Sequence, residues 1–525
     1  MPKITVDGKY IECKDRQMIL QACQDAGHAL PSYCYHQGLS IPASCRICLV
    51  EVEGIPKLVP SCQTPVRDGM IVHSRSPKAV SNQKSVMEYL LINHPLDCPV
   101  CDQAGECSLQ DYSYEYGRSQ SRFEEDKAKK PKKDVGDKIY LYADRCIMCT
   151  RCVRFTREIS GTSELYVDGR GYREEIDIFP GKPCNNKLAG NVVDLCPVGA
   201  LLDKDFLFKQ RVWLLKQAIS ISPVDAGGEN IFLEYNEGVV YRIKPRYNPD
   251  VNAWWISDDT RYSYHIIANP KRMKTAMKKE HGVQTPTTAR DAATVAMRQL
   301  KAAGSGLYAV LSPMMACEEA YLLGKAIRAM DPEALLVLGP VPSAGQDEVF
   351  KHSITGQKTF TIKAEKVPNA AGIRRVMEKL GGPTSTYEQF SNSSGENLKA
   401  GWIVGGYLSN WMTGEIPAAM KSGFRVVQDL LPTALSESAD VVIPAAAWAE
   451  KDGCWENFAG RVQPFTAAVP PPEGILREGD VYLSLLGRTG LYNAAAIRAE
   501  MGEPFVSVKL PSETHEAPAT EFVEL

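Results

Sequence analysis

The chain has 525 residues, of which 44% are hydrophobic and 23% are charged, and its formal net charge is −3. A chain of this length exceeds one compact core, so we expect three or more domains, and the near-neutral charge gives no support for binding to nucleic acid or to an anionic membrane. No stretch reaches the roughly 20 apolar residues needed to cross a bilayer, and the first residues read as a strand, so neither a membrane span nor export is expected.

The first part of the chain predicts a small sheet domain that contains one helix. Two alternating apolar runs flank an Asp7-Gly8 turn, as in a β-hairpin. Apolar residues from Ile19 to Ala26 recur at helical spacing, and Gly27 follows as a helix C-cap. Further strands are predicted at 49–52, 57–59 and 70–73, and a second helix at 83–93.

Beyond residue 215 the pattern alternates between helices and short apolar strands, which indicates an α/β arrangement with a largely parallel sheet. The predicted helices are 291–303 and 317–330, and the predicted strands are 306–313, 334–339, 401–406, 424–429 and 439–444.

Two other segments are strongly polar. The basic run within residues 118–137 is interpreted as a solvated loop, with a docking patch for a partner as the alternative. Residues 511–525 are acidic with scattered prolines and predict an extended or disordered tail.

The sixteen cysteines are unevenly distributed, because twelve precede residue 153 and only two follow Cys196. In a cytosolic chain clustered thiols are better candidates for metal ligands than for disulfides, and the absence of an export signal disfavours a disulfide-rich secreted domain. Three sets of candidate ligands follow from the spacing. Five cysteines remain outside these sets and are interpreted as structural: Cys13, Cys23, Cys184, Cys317 and Cys454.

The first set has a central Cys-Arg-Ile-Cys pair and one outlying cysteine on each side. Four thiolates suit a [2Fe–2S] or a [4Fe–4S] centre, although the spacing departs from that of plant-type ferredoxins. A structural zinc ion would use the same ligands and stays open as the alternative. The members of the first set are Cys34, Cys45, Cys48 and Cys62.

The second set combines one histidine with three cysteines in the segment HPLDCPVCDQAGEC. A neutral imidazole leaves a cluster one unit less negative than a fourth thiolate would, which by itself favours reduction. The histidine is preferred to Asp97 or a water as the fourth ligand, because no nearby cysteine is unassigned. The members of the second set are His94, Cys98, Cys101 and Cys107.

The third set has the most specific pattern, a CxxCxxC run closed by a remote Cys-Pro, as in bacterial-type ferredoxins. Zinc rarely uses this triple spacing, and Cys184 is a rival for the fourth ligand without the Cys-Pro context. Three candidate centres in one chain favour an electron relay over a single catalytic cluster. The members of the third set are Cys146, Cys149, Cys152 and Cys196.

The succession of these sets resembles the G-type iron–sulfur subunit of the proton-pumping NADH:quinone oxidoreductase, respiratory complex I, which is the counterpart of the mitochondrial 75 kDa subunit. The resemblance implies one [2Fe–2S] cluster on the first set and [4Fe–4S] clusters on the second and third. It also implies electron transfer from a flavin subunit toward quinone, through partner subunits that include a ferredoxin-like one, on the cytoplasmic face of the inner membrane. No catalytic residue is expected in this chain.

The second half is similar to molybdopterin-dependent oxidoreductases, most clearly in ADVVIPAAAWAEKDGCWENFAGRVQ at 439–463. Some members bind a fourth cluster, but Ser257 stands where its last cysteine would be and residues 201–316 contain no cysteine. We therefore expect neither a fourth cluster nor molybdopterin, and interpret this half as a packing scaffold. No GxGxxG follows a predicted strand, so no nicotinamide site is expected.

The predicted fold class is multidomain α/β. The resemblance implies an N-terminal ferredoxin-like (β-grasp) domain, iron–sulfur domains of helical and ferredoxin type, and a degenerate molybdopterin-oxidoreductase-like α/β domain. The predicted domains are 1–78 ([2Fe–2S] ferredoxin-like), 79–118 (second set, [4Fe–4S]), 138–214 (third set, [4Fe–4S]), 215–271 (a small 4Fe–4S-type domain without its cysteines), 272–510 (α/β scaffold) and 511–525 (tail).

Two alternative functions remain from the sequence. The diaphorase arm of an NAD-linked hydrogenase or formate dehydrogenase shares the cluster arrangement, although only Cys317 and Cys454 are available for a downstream active-site cluster. A zinc-bound assembly scaffold without a redox role is the other, and the CxxCxxC run argues against it.

Overall fold

The computed structural model describes residues 1–421 and 423–510, so the predicted tail lies outside the described residues. The chain divides into two compact units, of which the first contains residues 1–215 and 350–360 and the second contains 216–349 and 361–510. None of the helices in these described ranges is long and apolar enough to cross a membrane.

A five-stranded mixed sheet with the order β2-β1-β5-β3-β4 begins the first unit. Asp7 and Gly8 have φ angles of 47° and 82° between β1 and β2, as a tight hairpin turn requires, which confirms the predicted hairpin. The strands and helices up to residue 118 are β1 (Lys3–Val6), β2 (Lys9–Glu12), α1 (Ile19–Asp25), β3 (Leu49–Val52), β4 (Val59–Pro60), β5 (Ile71–His73), α2 (Pro77–Leu91) and α3 (Ser108–Tyr116).

Helix α2 begins at Pro77, six residues before its predicted start at residue 83. The Ser76 hydroxyl accepts a hydrogen bond from the Ala79 amide at 3.3 Å, and proline occupies the first helical position, where it needs no amide partner. The helix ends at Leu91, shortly before His94. Its Ser-Pro start is a signal that the apolar periodicity alone did not reveal.

The rest of the first unit contains a three-stranded sheet with the order β10-β7-β6 and a separate β8–β9 hairpin. Helix α4 begins within the CxxCxxC run, and α5 ends at Leu195, immediately before Cys196. These elements are β6 (Lys132–Asp134), β7 (Ile139–Tyr142), α4 (Arg151–Glu158), β8 (Leu165–Asp168), β9 (Glu175–Ile178), α5 (Asn191–Leu195) and β10 (Leu201–Asp203).

Most of the basic segment at 118–137 is exposed and has no regular secondary structure up to residue 131, as the solvated-loop interpretation predicts, although two of its lysines bind their own chain. The Lys127 ammonium donates to the carbonyls of Leu91 and Ile92, both at 2.8 Å, at the C-terminal end of α2. This is the helix end that a positive charge stabilises. Lys133 pairs with Glu175 at 2.8 Å. These contacts attach the segment to the C-terminal end of α2, shortly before His94, and to β9.

The second unit starts with an antiparallel sheet, β11-β12-β13, followed by a short helix. Its inner face packs apolar side chains such as Ile231, Leu233 and Ile243 against residues of the following domain, including Trp455. These elements are β11 (Lys216–Ile221), β12 (Asn230–Asn236), β13 (Val239–Pro245) and α6 (Asp258–Tyr262).

An eight-stranded sheet with the order β15-β14-β23-β22-β21-β16-β17-β20 forms the core of the second unit. The six strands from β23 to β20 are parallel, which confirms the predicted largely parallel sheet, and an antiparallel hairpin closes one edge. Helix α8 and strand β22 have the predicted bounds. The elements from residue 276 onward are β14 (Ala276–Glu280), β15 (Val283–Thr287), α7 (Ala289–Ala303), β16 (Leu307–Leu311), α8 (Cys317–Met330), β17 (Leu335–Leu338), β18 (Glu348–Lys351), β19 (Lys358–Ile362), α9 (Ala370–Leu380), β20 (Thr384–Ser385), α10 (Tyr387–Ser391), β21 (Ala400–Val404), α11 (Ala418–Lys421), β22 (Phe424–Asp429), α12 (Ala434–Ser438), β23 (Val441–Pro444), β24 (Gly453–Glu456), β25 (Val462–Phe465), α13 (Glu478–Leu485) and α14 (Ala494–Met501). Residues 350–360, which include parts of β18 and β19, belong to the first unit.

Candidate metal centres

The four thiols of the first set come together as two hydrogen-bonded pairs. A hydrogen bond from the Cys45 thiol lowers the pKa of Cys34 to about 5 against the opposing effect of burial, and the pKa of Cys45 is raised in return. In the same way, the Cys62 thiol lowers the pKa of Cys48 to about 7. Each pair can therefore hold a thiolate near neutral pH, which is the form that binds metal.

Left-handed residues shape the ligand loops of the first and third sets. Ala43 and Arg46 have φ angles of 50° and 59° on either side of Cys45, and Met148 and Thr150 have φ angles of 52° and 59° around Cys149. Around Cys149 the two left-handed residues alternate with the cysteine, a pattern that turns successive amide groups toward one concave side and favours bound anions. This backbone suits a negatively charged thiolate-bound cluster.

The third set lines one pocket with about 350 Å³ of empty space. All four of its cysteines reach this pocket, together with apolar side chains such as Leu141, Ile176 and Val198. Within it, the Met148 amide donates to the Cys146 sulfur at 3.4 Å. Cys184 is not among the lining residues, so the geometry favours Cys196 as the fourth ligand.

Burial is the largest influence on the pKa values of the third-set cysteines. It raises the pKa of Cys146 to about 12 and that of Cys196 to about 11, and it raises the pKa of Cys152 well above its ordinary value. Because metals bind the thiolate, loading this site must release protons. The donor set, the apolar lining and the amide donors all suit a buried cluster.

Two of the three cysteines of the second set, Cys101 and Cys107, lie beside the loop that follows Cys196, whereas Cys98 is exposed. An added Cβ at Gly199 would lie 2.2 Å from the Cys101 sulfur, so only glycine allows this approach. The Ser108 amide, next to Cys107, donates to the Pro197 carbonyl at 3.1 Å. The second set is thus packed directly against the third.

His94 and Cys101 both lie close enough to the Arg145 guanidinium for its charge to affect their pKa values. Burial, followed by the charges of Arg145 and Lys127, lowers the pKa of His94 to about 4. The imidazole is therefore neutral at physiological pH, as a metal ligand must be. The rival ligand Asp97 is paired with Arg145 at 2.8 Å.

Replacing His94 with cysteine tests this ligand. A fourth thiolate would add one negative charge to the cluster, so His94→Cys is expected to keep the cluster and lower its reduction potential. The measurement is an EPR-monitored redox titration. Asp97→Asn serves as the comparison and is expected to keep its iron, whereas an unchanged potential in His94→Cys would contradict ligation by His94.

Two arginines beside the cysteines are functional candidates that the sequence reasoning missed; Arg145 is buried and Arg151 is half-buried. Arg145 precedes Cys146 and donates to Asp97 and to the Gly199 carbonyl, at 2.8 and 3.4 Å. Arg151 precedes Cys152 and donates to the Tyr35 carbonyl at 2.6 Å. The adjacency of arginine to cysteine was a visible signal, but the carbonyls these residues bind lie far along the chain.

The region of the absent fourth ligand set is filled by hydroxyl groups and one acid. Ser222 and Thr260 share a hydrogen bond of 2.6 Å, Ser257 donates to Thr260 at 3.0 Å, and Glu229 accepts from the Ser257 amide at 3.2 Å. These oxygen atoms bond one another in a fully buried site. The arrangement lacks the thiolates that an iron–sulfur cluster needs.

Glu229 makes the stability of the second unit depend on pH. Burial, followed by the charge of Asp225, raises the pKa of Glu229 to about 8. The folded protein then holds a proton that the unfolded chain releases above about pH 4.5, so the free energy of unfolding is expected to fall as pH rises from about 4.5 to 8.

The measurement is urea unfolding at several pH values, followed by tryptophan fluorescence, since six of the seven tryptophans lie in the second unit. Glu229→Gln keeps the neutral form at every pH and is expected to reduce this slope. An identical slope in the variant would contradict the assignment to Glu229.

A second pocket lies where the parallel strands reverse their order, between β16 and β21. Ligands of open α/β sheets bind at such points. Its lining is mostly apolar, and its charged groups, Lys451 and Glu478, pair with each other at 3.3 Å. Both charges are thus already compensated and no thiolate is present, so the lining does not suit a phosphate-bearing metal cofactor.

Single-ion geometry is absent from the three sets. Across the described ranges, no three His, Cys, Asp or Glu side chains converge as one metal ion requires.

Family models match five successive parts of the chain. They are described as "2Fe-2S iron-sulfur cluster binding domain" at 2–77, "NADH-ubiquinone oxidoreductase-G iron-sulfur binding region" at 83–122, "NADH-quinone oxidoreductase subunit 3, ferredoxin-like domain" at 136–202, "NADH-ubiquinone oxidoreductase NDSU1/NuoG-like, 4Fe-4S domain" at 215–265 and "Molybdopterin oxidoreductase" at 354–477. The chain is therefore a multidomain iron–sulfur protein with 2Fe–2S and 4Fe–4S domains ahead of a molybdopterin-oxidoreductase-like domain, which confirms the predicted fold class.

Two named relatives show which proteins the chain is similar to. The chain is 45% identical over 264 residues to the G-type subunit of NADH-quinone oxidoreductase from Rickettsia conorii, covering 50% of this chain and 39% of the relative. It is 45% identical over 282 residues to the NADH-ubiquinone oxidoreductase 75 kDa subunit of Reclinomonas americana, covering 54% and 41%. The predicted resemblance to the G-type, 75 kDa subunit of NADH-quinone oxidoreductase is confirmed, and the chain spans about two fifths of these relatives' length.

The chain is also similar to one chain in a solved structure of a different enzyme. A chain of an NAD⁺-reducing [NiFe]-hydrogenase in its H₂-reduced state is 28% identical, with a TM-score of 0.37, and the match covers 40% of this chain and 91% of that one.

Proposed function

We propose that this chain is an electron-transfer iron–sulfur subunit of the peripheral arm of NADH:quinone oxidoreductase, relaying electrons from the flavin subunit toward quinone. The observation that carries the proposal is the linkage of three ligand sets within one compact unit. Arg154 bonds backbone of both the first and the third set, and Gly199 brings the third set against Cys101 of the second. These contacts support a relay in which the third set lies next to each of the other two.

The twelve residues of the three sets would hold one [2Fe–2S] cluster and two [4Fe–4S] clusters. The four thiols of the first set would supply the four thiolate ligands of a [2Fe–2S] cluster. When bound, the clusters would supply one-electron redox chemistry. The chain would fix their ligands, and the Met148 amide would supply a hydrogen bond to the Cys146 sulfur.

No NADH, quinone or molybdenum site is assigned to this chain. Residues 1–78, 79–118 and 138–214 would carry the clusters, while 215–271 and 272–510 would act as a scaffold without a fourth cluster or molybdopterin. The partners would be the flavin-containing, ferredoxin-like and quinone-side subunits, which would hold the chain peripherally at the cytoplasmic face of the inner membrane. Proton translocation would belong to the whole complex.

Metal analysis after anaerobic purification tests the proposal. We expect about ten irons and a similar amount of sulfide per chain, no molybdenum, and EPR signals of both cluster types after reduction. A colourless chain that contains only zinc and stays EPR-silent with dithionite would overturn the proposal in favour of a zinc scaffold.

A further inference from the structure

One buried guanidinium connects the ligand loops of the first and third sets. Arg154 lies on α4, two residues after Cys152, and its side chain is buried. One of its terminal nitrogens donates to the carbonyl of Cys34 and, at 3.3 Å, to that of Cys149, and the other donates to the carbonyl of Ser40. A single side chain thus binds backbone next to a ligand of each set.

Among the described residues, no carboxylate forms a direct ion pair with the Arg154 guanidinium. Its hydrogen bonds go to carbonyl oxygens, whereas the nearby Glu158 accepts from Ser40 at 2.6 Å and from Arg157 at 3.0 Å. Burial lowers the pKa of Arg154, and the charges of Cys149, Glu158 and Cys34 raise it. Both ligand sets therefore interact with the same positive charge.

Arg145 provides a contrast within the same domain. It connects the third set to the second, but its guanidinium forms two hydrogen bonds to Asp97, at 2.8 and 3.1 Å. Its charge is therefore largely compensated. Arg154 differs because it keeps its charge in a buried position, where electrostatic effects are stronger than in water.

We propose that Arg154 is a positioning residue that fixes the first and third cluster sites against each other and raises the reduction potentials of both clusters together. Reduction adds one negative charge to a cluster, and a fixed positive charge stabilises that state. The three carbonyl bonds keep the charge between the two loops. This inference rests on the proposed function, since it requires both clusters to be present.

The test compares wild type, Arg154→Gln, Arg154→Lys and Arg157→Gln as full chains purified anaerobically, with iron analysis and EPR-monitored redox titration. Arg157 is the matched control, because it lies one turn further along α4 and its side chain is 44% exposed. Arg154→Gln is expected to disfavour reduction of both clusters about tenfold, which is about 59 mV for a one-electron couple. Arg154→Lys is expected to stay closer to wild type, and Arg157→Gln to match it.

The outcomes separate this inference from the proposed function. Wild-type protein without iron–sulfur clusters would overturn the proposed function itself. Normal clusters in wild type with unchanged potentials in Arg154→Gln, or a shift in only one cluster, would overturn the role of Arg154 alone. Loss of iron from both Arg154 variants would make the residue a folding determinant and would also overturn its role in setting potentials.

Discussion

Replacing Cys149 with serine is expected to remove the [4Fe–4S] cluster of the third set and lower the iron content from about ten to about six per chain. Serine preserves the shape of the side chain but not the thiolate that iron prefers. Cys149 shares the pocket with the other three cysteines of its set, so the remaining ligands cannot enclose a four-iron core. Iron analysis and EPR of the reduced protein measure the loss.

Cys184→Ser is the matched control for this change. Cys184 is buried in the same domain but does not line the pocket, so its replacement is expected to leave the iron content and all EPR signals unchanged. Loss of the cluster in Cys184→Ser together with retention in Cys149→Ser would contradict the ligand assignment. Loss in both variants would contradict the choice of Cys196 over Cys184.

Local signals in the sequence predicted much of the fold. Sequence patterning gave α8 and β22 their bounds, because both elements bury apolar residues at the spacing of their structure, such as Leu323 and Ile327 of α8 and Val427 of β22. The spacing of the cysteines predicted a common pocket for the third set, since a CxxCxxC run and a helix that ends before Cys196 bring the sulfurs to one side.

Long-range polar contacts escaped prediction for a physical reason. Arg154 reads as one more charged residue on an amphipathic helix, but its partner Cys34 lies 120 residues earlier in the chain. Lys133 likewise reads as part of a solvated basic run, although it pairs with Glu175, 42 residues later. Burial of a charge depends on tertiary partners, which spacing along the chain does not encode.

Residues 215–265 show that a fold alone does not predict which cofactor a site can bind. A 4Fe–4S-type family model matches residues 215–265, yet this stretch contains no cysteine. The fold has remained while Ser257, Thr260 and Glu229 form a hydrogen-bonded cluster of oxygen atoms. Fold and ligand chemistry are therefore separate properties, and the residues at the site decide which cofactor can bind.

Replacing Arg272 with methionine is expected to destabilise the second unit by roughly 3–5 kcal/mol, because it leaves a buried carboxylate without its partner. The Arg272 guanidinium binds both Glu450 oxygens, at 2.6 and 2.8 Å, and each side chain is only 1% exposed. Arg272 also donates to the Ile267 carbonyl at 2.7 Å. Urea unfolding followed by tryptophan fluorescence, which reports mainly on this unit, measures the change.

The matched control is an exposed ion pair in the same unit. Arg461 and Asp250 lie 3.0 Å apart with side chains 47% and 60% exposed, so Arg461→Met is expected to change stability by no more than about 1 kcal/mol. The double variant Arg272→Met with Glu450→Met removes both buried charges and is expected to lose less stability than Arg272→Met alone, since no unpaired carboxylate remains. Equal losses in the double variant and in Arg272→Met would show that the lost backbone contacts, rather than the unpaired charge, dominate.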